Sequence, residues 1–258
     1  MIVEFIGCDG AGKTTLSRML RERGIAGSHV AAMPDLLLDR AGLRRITHPT
    51  AINVLQEVGG LPFLLRGHRR QREFVSFARR MHIRYAPSRY DRWNGMRGIL
   101  RRVGMYELAR SRAPNRVVLS DEGTVLTAYL FALTDVELDP RDLERFAWLV
   151  PRPDTIVYVK APVASLVQRA MSRPTRRRQH AGKDRAHVER TIRRTVDVFE
   201  RVAEAVPLRD RVLVVENDDG DTIRMHRLLE HIAAELQVPS ASGDDVGRAS
   251  SQVLAGRP

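Results

Sequence analysis

Two kinds of apolar patterning alternate along the chain. Short, nearly unbroken apolar runs occupy residues 2–6, 29–33, 117–121, 155–159 and 211–216. Between them, apolar side chains recur every three or four residues, at Leu16, Met19 and Leu20, over 36–46 and 64–81, at Leu126, Tyr129, Leu130 and Leu133, and over 163–172, 188–206 and 222–236. The first pattern predicts strands buried on both faces, and the second predicts amphipathic helices. Their alternation predicts an α/β fold with a mostly parallel sheet flanked by helices. In such sheets ligands gather beyond the carboxyl ends of the strands, so the segments after Ile6, Ser120, Val159 and Val215 should converge on one cleft.

Punctuation sharpens some boundaries. Arg21-Glu22-Arg23-Gly24 supplies last-turn cations and a glycine to end the first helix, Pro34 stops the second strand, Pro151 and Pro153 precede the fourth, and Asp221 is placed to cap the last helix. Residues 35–112 carry helical periodicity interrupted by Pro49, Gly59-Gly60, Pro62 and Pro87. Separate helices covering a second substrate are expected there. From residue 239 to 258, Ser, Gly, Asp and Arg predominate, which predicts a disordered tail and leaves 1–238 as a single domain. The chain shows no internal repeat.

The chemistry starts at Gly7-Cys8-Asp9-Gly10-Ala11-Gly12-Lys13-Thr14-Thr15, which fits Gly, four residues, then Gly-Lys-Ser/Thr, between a strand and a helix. Glycines let backbone N–H groups wrap a β-phosphate, the helix N-terminus adds positive dipole, Lys13 bridges the β- and γ-phosphates, and Thr14 ligates Mg²⁺. ATP and Mg²⁺ are the expected cofactors. Asp121, ending an apolar strand, fits a second holder of Mg²⁺. Glu122 beside it suits either a water-polarising carboxylate, an acceptor contact or a solvated strand exit. Asp9 lies within the loop, where a carboxylate accepts a hydrogen bond from an acceptor hydroxyl or ties down backbone. Cys8 reads as a small residue chosen for fit, the histidines as surface residues, and 216–221 as polar groups near an adenine.

Residues 173–185 form an arginine-rich stretch between two helices. Phosphoryl transfer needs cations against the migrating group and a cover that excludes water, and such a lid provides both. Lys13, Arg173, Arg176, Arg177 and Arg185 are therefore the catalytic candidates, and Arg66, Arg69, Arg70 and Arg72 the candidates for an acceptor phosphate.

The formal charge of +12 admits a polyanionic partner, but aromatics make up 5% of the chain and leave little for stacking single-stranded bases. A nucleic-acid-binding ATPase is thus the alternative, and a small-molecule phosphate acceptor the favoured partner. One cysteine argues against a disulfide framework. No apolar run reaches the roughly 18 residues of a membrane span, and the first strand begins too early for a leader. A cytoplasmic protein with no membrane partner is expected, with a homodimer left open.

Residues 5–15 resemble the opening of thymidylate kinases, whose phosphate loop carries Asp-Gly-Ala-Gly-Lys followed by Ser or Thr. The segment from Val117 to Ala128-Tyr129 is similar to that family's strand, Asp-Arg-Tyr/His signature and Ala-Tyr, and Lys183-Asp184-Arg185 resembles the end of its lid. The resemblance implies a five-stranded parallel sheet, Mg·ATP as donor, Asp9 near the acceptor sugar, lid arginines assisting transfer, and a nucleoside monophosphate such as dTMP, or a related small molecule, as acceptor. The chain departs from the family at Glu122-Gly123, where the family has arginine, and at Met33-Pro34-Asp35, where it has Arg-Glu-Pro-Gly. The span from Gly12 to Asp121 is also long, which implies a rebuilt acceptor region.

Overall fold

The computed structural model describes residues 1–25, 29–39, 42, 48–86, 88–113, 115–133, 136–173, 182–217 and 222–237. Five strands, β1 (Ile2–Ile6), β2 (His29–Ala32), β3 (Arg116–Ser120), β4 (Thr155–Lys160) and β5 (Val212–Glu216), form one all-parallel sheet in the order β2-β3-β1-β4-β5. β1 is central: Val3 pairs with Leu119 on one side and Thr155 on the other. The connection from β1 runs toward the β2 edge and the one from β3 crosses to β4 on the other side, so a crevice opens at the carboxyl ends of β1 and β3. This is the α/β, P-loop-type architecture that the patterning and the resemblance implied.

Alternation along the strands fills both faces. Val3, Phe5, Val157 and Val159 pack with Leu16 and Leu20 of α1 (Lys13–Arg23), Leu166 of α6 (Val163–Ser172), Val188 of α7 (Arg185–Glu204) and Ile232 of α8 (Thr222–Gln237). Ile6, Ile156 and Tyr158 face the other way, onto Phe74 and Phe77 of α3 (Pro49–Tyr85), Phe146 of α5 (Pro140–Leu149) and Phe199. α5 was absent from the sequence reading, although Asp139 caps it through the Arg141 N–H at 3.0 Å and Pro140 opens it. Between the third strand and α5, Val125–Ala132 coils as a 3₁₀ helix rather than the expected α-helix.

The largest departure lies in 35–112. Helix α2 (Asp35–Leu38) is four residues, and the rest of the periodic stretch to Ile46 lies outside the described residues except Asp39 and Gly42. Beyond it, a single helix of 37 residues, α3, runs through Gly59-Gly60 and Pro62 without a break. It packs along α4 (Arg89–Arg112). Pro49 begins the helix instead of breaking it. The two glycines serve contact: a Cβ on Gly60 would meet the Gly104 backbone at 3.3 Å, and one on Gly104 would meet the Gly60 carbonyl at 2.7 Å. Pro62 and Val58, whose carbonyl it deprives of a helical partner, are both exposed. Val54, Val58, Leu61 and Leu65 make an exposed apolar stripe on α3. Among the described residues no helix is long and apolar enough to cross a membrane. The stretch expected to be a disordered tail lies outside them.

Candidate active site

The loop between β1 and α1 is shaped by glycines that no other residue could replace. Gly7, Gly10 and Gly12 have φ of 133°, 86° and 100°. A Cβ on Gly7 would strike the Val159 carbonyl, and one on Gly12 would strike the Asn217 amide. Neighbouring strands therefore hold the loop from behind: Asn217, buried after β5, donates from Nδ2 to the Ala11 carbonyl at 2.7 Å, and its own N–H donates to Lys160 O at 2.8 Å. Of the 216–221 stretch expected near an adenine, 218–221 lie outside the described residues, and Asn217 clamps the phosphate loop. Lys13 Nζ donates to the carbonyls of Gly7 and Cys8, both at 2.7 Å, which keeps the ammonium over the loop. Cys8 is buried, Sγ lies 3.8 Å from the Ile192 carbonyl, and burial pushes the thiol up to about 12, so it stays protonated.

A cleft of about 570 Å³ opens over this loop. Gly7, Asp9, Gly10, Gly12, Lys13, Thr14 and Thr15 floor it, and Asp121 and Glu122 enter from the end of β3. Ala11 is fully buried beneath it. Arg169, on α6, joins the wall and donates to the Gly10 carbonyl at 3.0 Å. Arg173 stands on the rim. Arg176 and Arg177 lie outside the described residues. Arg185 is exposed in the first turn of α7 and is not among the residues lining the cavities described here.

Two further cavities adjoin the cleft, and Arg102 lines all three. The smaller, about 290 Å³, lies between the ends of β1, β2 and β3 and the α3–α4 pair, and includes Glu4, Asn53, Gln56, Arg101, Asp121 and Glu122. The larger, about 480 Å³, lies among the far part of α3, the start of α4, the 3₁₀ helix and the start of α7. Leu126 and Tyr129 connect it to the cleft, and Lys183 and His187 close its outer side.

Glu122 is an exposed carboxylate, 57% accessible, that is nevertheless paired with two arginines. Its carboxylate accepts from Arg101 Nη2 at 2.9 Å and lies 3.7 Å from Arg102 Nη2, while its carbonyl accepts from Arg102 Nε at 3.1 Å. Arg101 also donates to the Asn53 side chain. Burial lowers the Arg102 guanidinium from its ordinary range, against the opposing pull of Glu122. Beneath them Glu4, 1% exposed, accepts the Leu126 N–H at 2.7 Å and lies 3.4 Å from the Thr124 hydroxyl. Burial raises its carboxyl to about 7, although backbone N–H groups from Leu126, Val125 and Thr124 oppose the shift.

His82 corrects the reading of the histidines as surface residues. Helix α4 covers it, with Gly95 against the ring, so that only 6% is exposed. Nδ1 has no hydrogen-bond partner among the described residues, and burial, helped by Arg102, lowers the ring to about 4. His82 is therefore a neutral polar wall of the larger cavity. Arg66, Arg69, Arg70 and Arg72, by contrast, are exposed on α3, with Arg70 3.6 Å from Glu107, and are not among the residues lining the three cavities. The arginines that line the smaller cavity are Arg101 and Arg102, which no spacing distinguished from the other arginines of 66–112.

No protein-family model matches the chain, and no curated protein matches its sequence. Several solved structures align with it over most of their length. Deoxyadenosine kinase from M. mycoides is 13% identical, with 92% of this chain and 98% of that one covered at a TM-score of 0.46. Thymidylate kinase from Candida albicans is also 13% identical, over 91% and 92%, at 0.48. Shikimate kinase from Bacteroides thetaiotaomicron is 10% identical, over 92% and 99%, at 0.40. The fold itself is carried by the strand order and the glycine loop, which the chain shows without them.

Proposed function

We propose that the protein is a P-loop kinase that transfers the terminal phosphoryl group of ATP to an oxygen of a small acceptor of nucleoside or nucleoside-monophosphate size. The observation that carries this reading is the meeting of the cavities at Arg102, with Arg173 lining the cleft over the phosphate loop and Lys183 lining the larger cavity. Two joined cavities suit a reaction between two bound molecules, from which water must be kept.

The loop fits a triphosphate: positive-φ glycines let it turn tightly against Val159 and Asn217, its residues floor the cleft, and Lys13 is held over it. Thr14 and Asp121, on the same cleft, would hold Mg²⁺, which supplies neutralisation of the charge on the transferring group. The chain's own part is positioning. The loop amides and Lys13 fix the donor, Arg173 together with Arg176, Arg177 and Arg185 supplies lid cations, and Asp9 accepts a hydrogen bond from the acceptor. The acceptor oxygen is thereby aligned in line with the bond to be broken.

The test is ADP release from Mg·ATP with nucleosides, nucleoside monophosphates, small sugars and polynucleotides, using Lys13→Ala as the blank. Stimulation by a small acceptor supports the reading and names its substrate. Release stimulated only by DNA or RNA would replace it with a nucleic-acid-dependent ATPase.

A further inference from the structure

We propose that Glu122 is a charge filter: it engages the Arg101–Arg102 pair internally, so that the group phosphorylated is the hydroxyl of an uncharged acceptor rather than the phosphate of an anionic one. This rests on the kinase reading and narrows its substrate class.

The two guanidiniums are the cations that reach the acceptor end from α4, and both are turned onto the chain itself. Arg101, its side chain 10% exposed, gives one nitrogen to the Glu122 carboxylate and another to Asn53. Arg102, common to all three cavities, is held by the carbonyl and the carboxylate of the same residue. Lys183 is the other cation lining the larger cavity, which Asp91 also lines, and the smaller cavity carries Glu4 and Asp121 beside Glu122. An arriving phosphate therefore meets carboxylates around cations already engaged, and like charges brought together repel. A hydroxyl meets no such penalty. The larger cavity suits an uncharged polar molecule: buried His82 lines it, and Asn94, Thr127 and Thr191 add neutral donors and acceptors beside Leu126 and Leu130.

In this reaction the acceptor hydroxyl oxygen bonds to the γ-phosphorus while the bond from that phosphorus to the β–γ bridging oxygen breaks. ADP leaves with the electron pair, and the hydroxyl proton passes to Asp9 and then to water.

The experiment compares kcat/KM of the wild type, Glu122→Gln and Glu122→Asp on matched pairs of acceptors: nucleosides and simple sugars, each against its own phosphate. Melting in sulfate at fixed ionic strength is followed in parallel. The wild type should favour the uncharged partner at least about tenfold, Glu122→Gln should shrink that ratio about tenfold and gain a sulfate-dependent rise in Tm, and Glu122→Asp should keep the wild-type preference. A wild type that prefers the phosphates overturns the filter. So does a Glu122→Gln protein that melts like the wild type without sulfate and changes neither the ratio nor the sulfate response. If no small acceptor of either class stimulates ADP release, the kinase reading itself falls, and the filter with it.

Discussion

The two ends of the cleft are built from different material. Over the phosphate loop the backbone forms the site: three glycines at positive φ, a helix N-terminus, and a lysine held by two carbonyls. Beside Arg102, side chains of α3 and α4 form it, with amides, a buried histidine and two arginines on a carboxylate. A backbone-built site tolerates almost no substitution, because a Cβ at Gly7 or Gly12 has nowhere to go. A side-chain-built site can be rewritten one residue at a time on a constant frame.

The sharpest way to probe this contrast is Lys13→Ala. It should lower kcat on the order of 10²–10³-fold for every acceptor, since in the proposed reaction the ammonium serves the donor alone. A variant that lost activity toward one acceptor only would erase the distinction between the ends.

Next comes the buried carboxylate beneath the junction. Glu4 is raised to about 7 in the folded chain, against 4.5 as its ordinary value. Between those values the folded state holds the proton that the unfolded state has released, so stability falls as pH rises from about 4.5 to 7 and then levels. Glu4→Gln removes that fall. Its stability relative to the wild type should improve by about 3 kcal/mol between pH 4.5 and 8, read from urea midpoints. Parallel curves for the two proteins would show that Glu4 ionises freely.

Two smaller effects separate the frames. Gly104→Val places a methyl against the Gly60 carbonyl and should cost about 2 kcal/mol of stability by urea unfolding. An unchanged midpoint would mean that the α3–α4 contact yields. Asn217→Ala frees the Ala11 carbonyl and should cost about 1 kcal/mol, with a rise in KM for ATP and none for the acceptor. A rise for the acceptor alone would place Asn217 on the wrong side of the comparison.

The same difference decided what could be read from the sequence. Strands buried on both faces gave continuous apolar runs, and the phosphate loop gave a pattern that only its glycines satisfy, so the sheet, α1, α6, α7 and α8 were legible with ends displaced by a few residues at most. Asp121 was found because it closes such a run. Arg101 and Arg102 were not, because an arginine facing a cavity and one facing water have the same neighbours along a helix. Pro62 and Gly59-Gly60 misled for a related reason. They mark breaks in an isolated helix, but here the glycines let α4 come close and the proline sits where its missing bond faces solvent. Glu4 was a signal passed over: a charge inside an otherwise apolar strand is rarely idle.

Both long helices fall between β2 and β3 in chain order, so everything that α3 and α4 bring to the cleft is encoded in one uninterrupted stretch from Pro49 to Arg112. Asn53, Gln56, His82, Asn94, Arg101 and Arg102 all travel with it. A lineage could exchange that cassette by two crossovers, leaving the nucleotide machinery untouched, and inherit a different chemistry at the far end of the cleft in a single event.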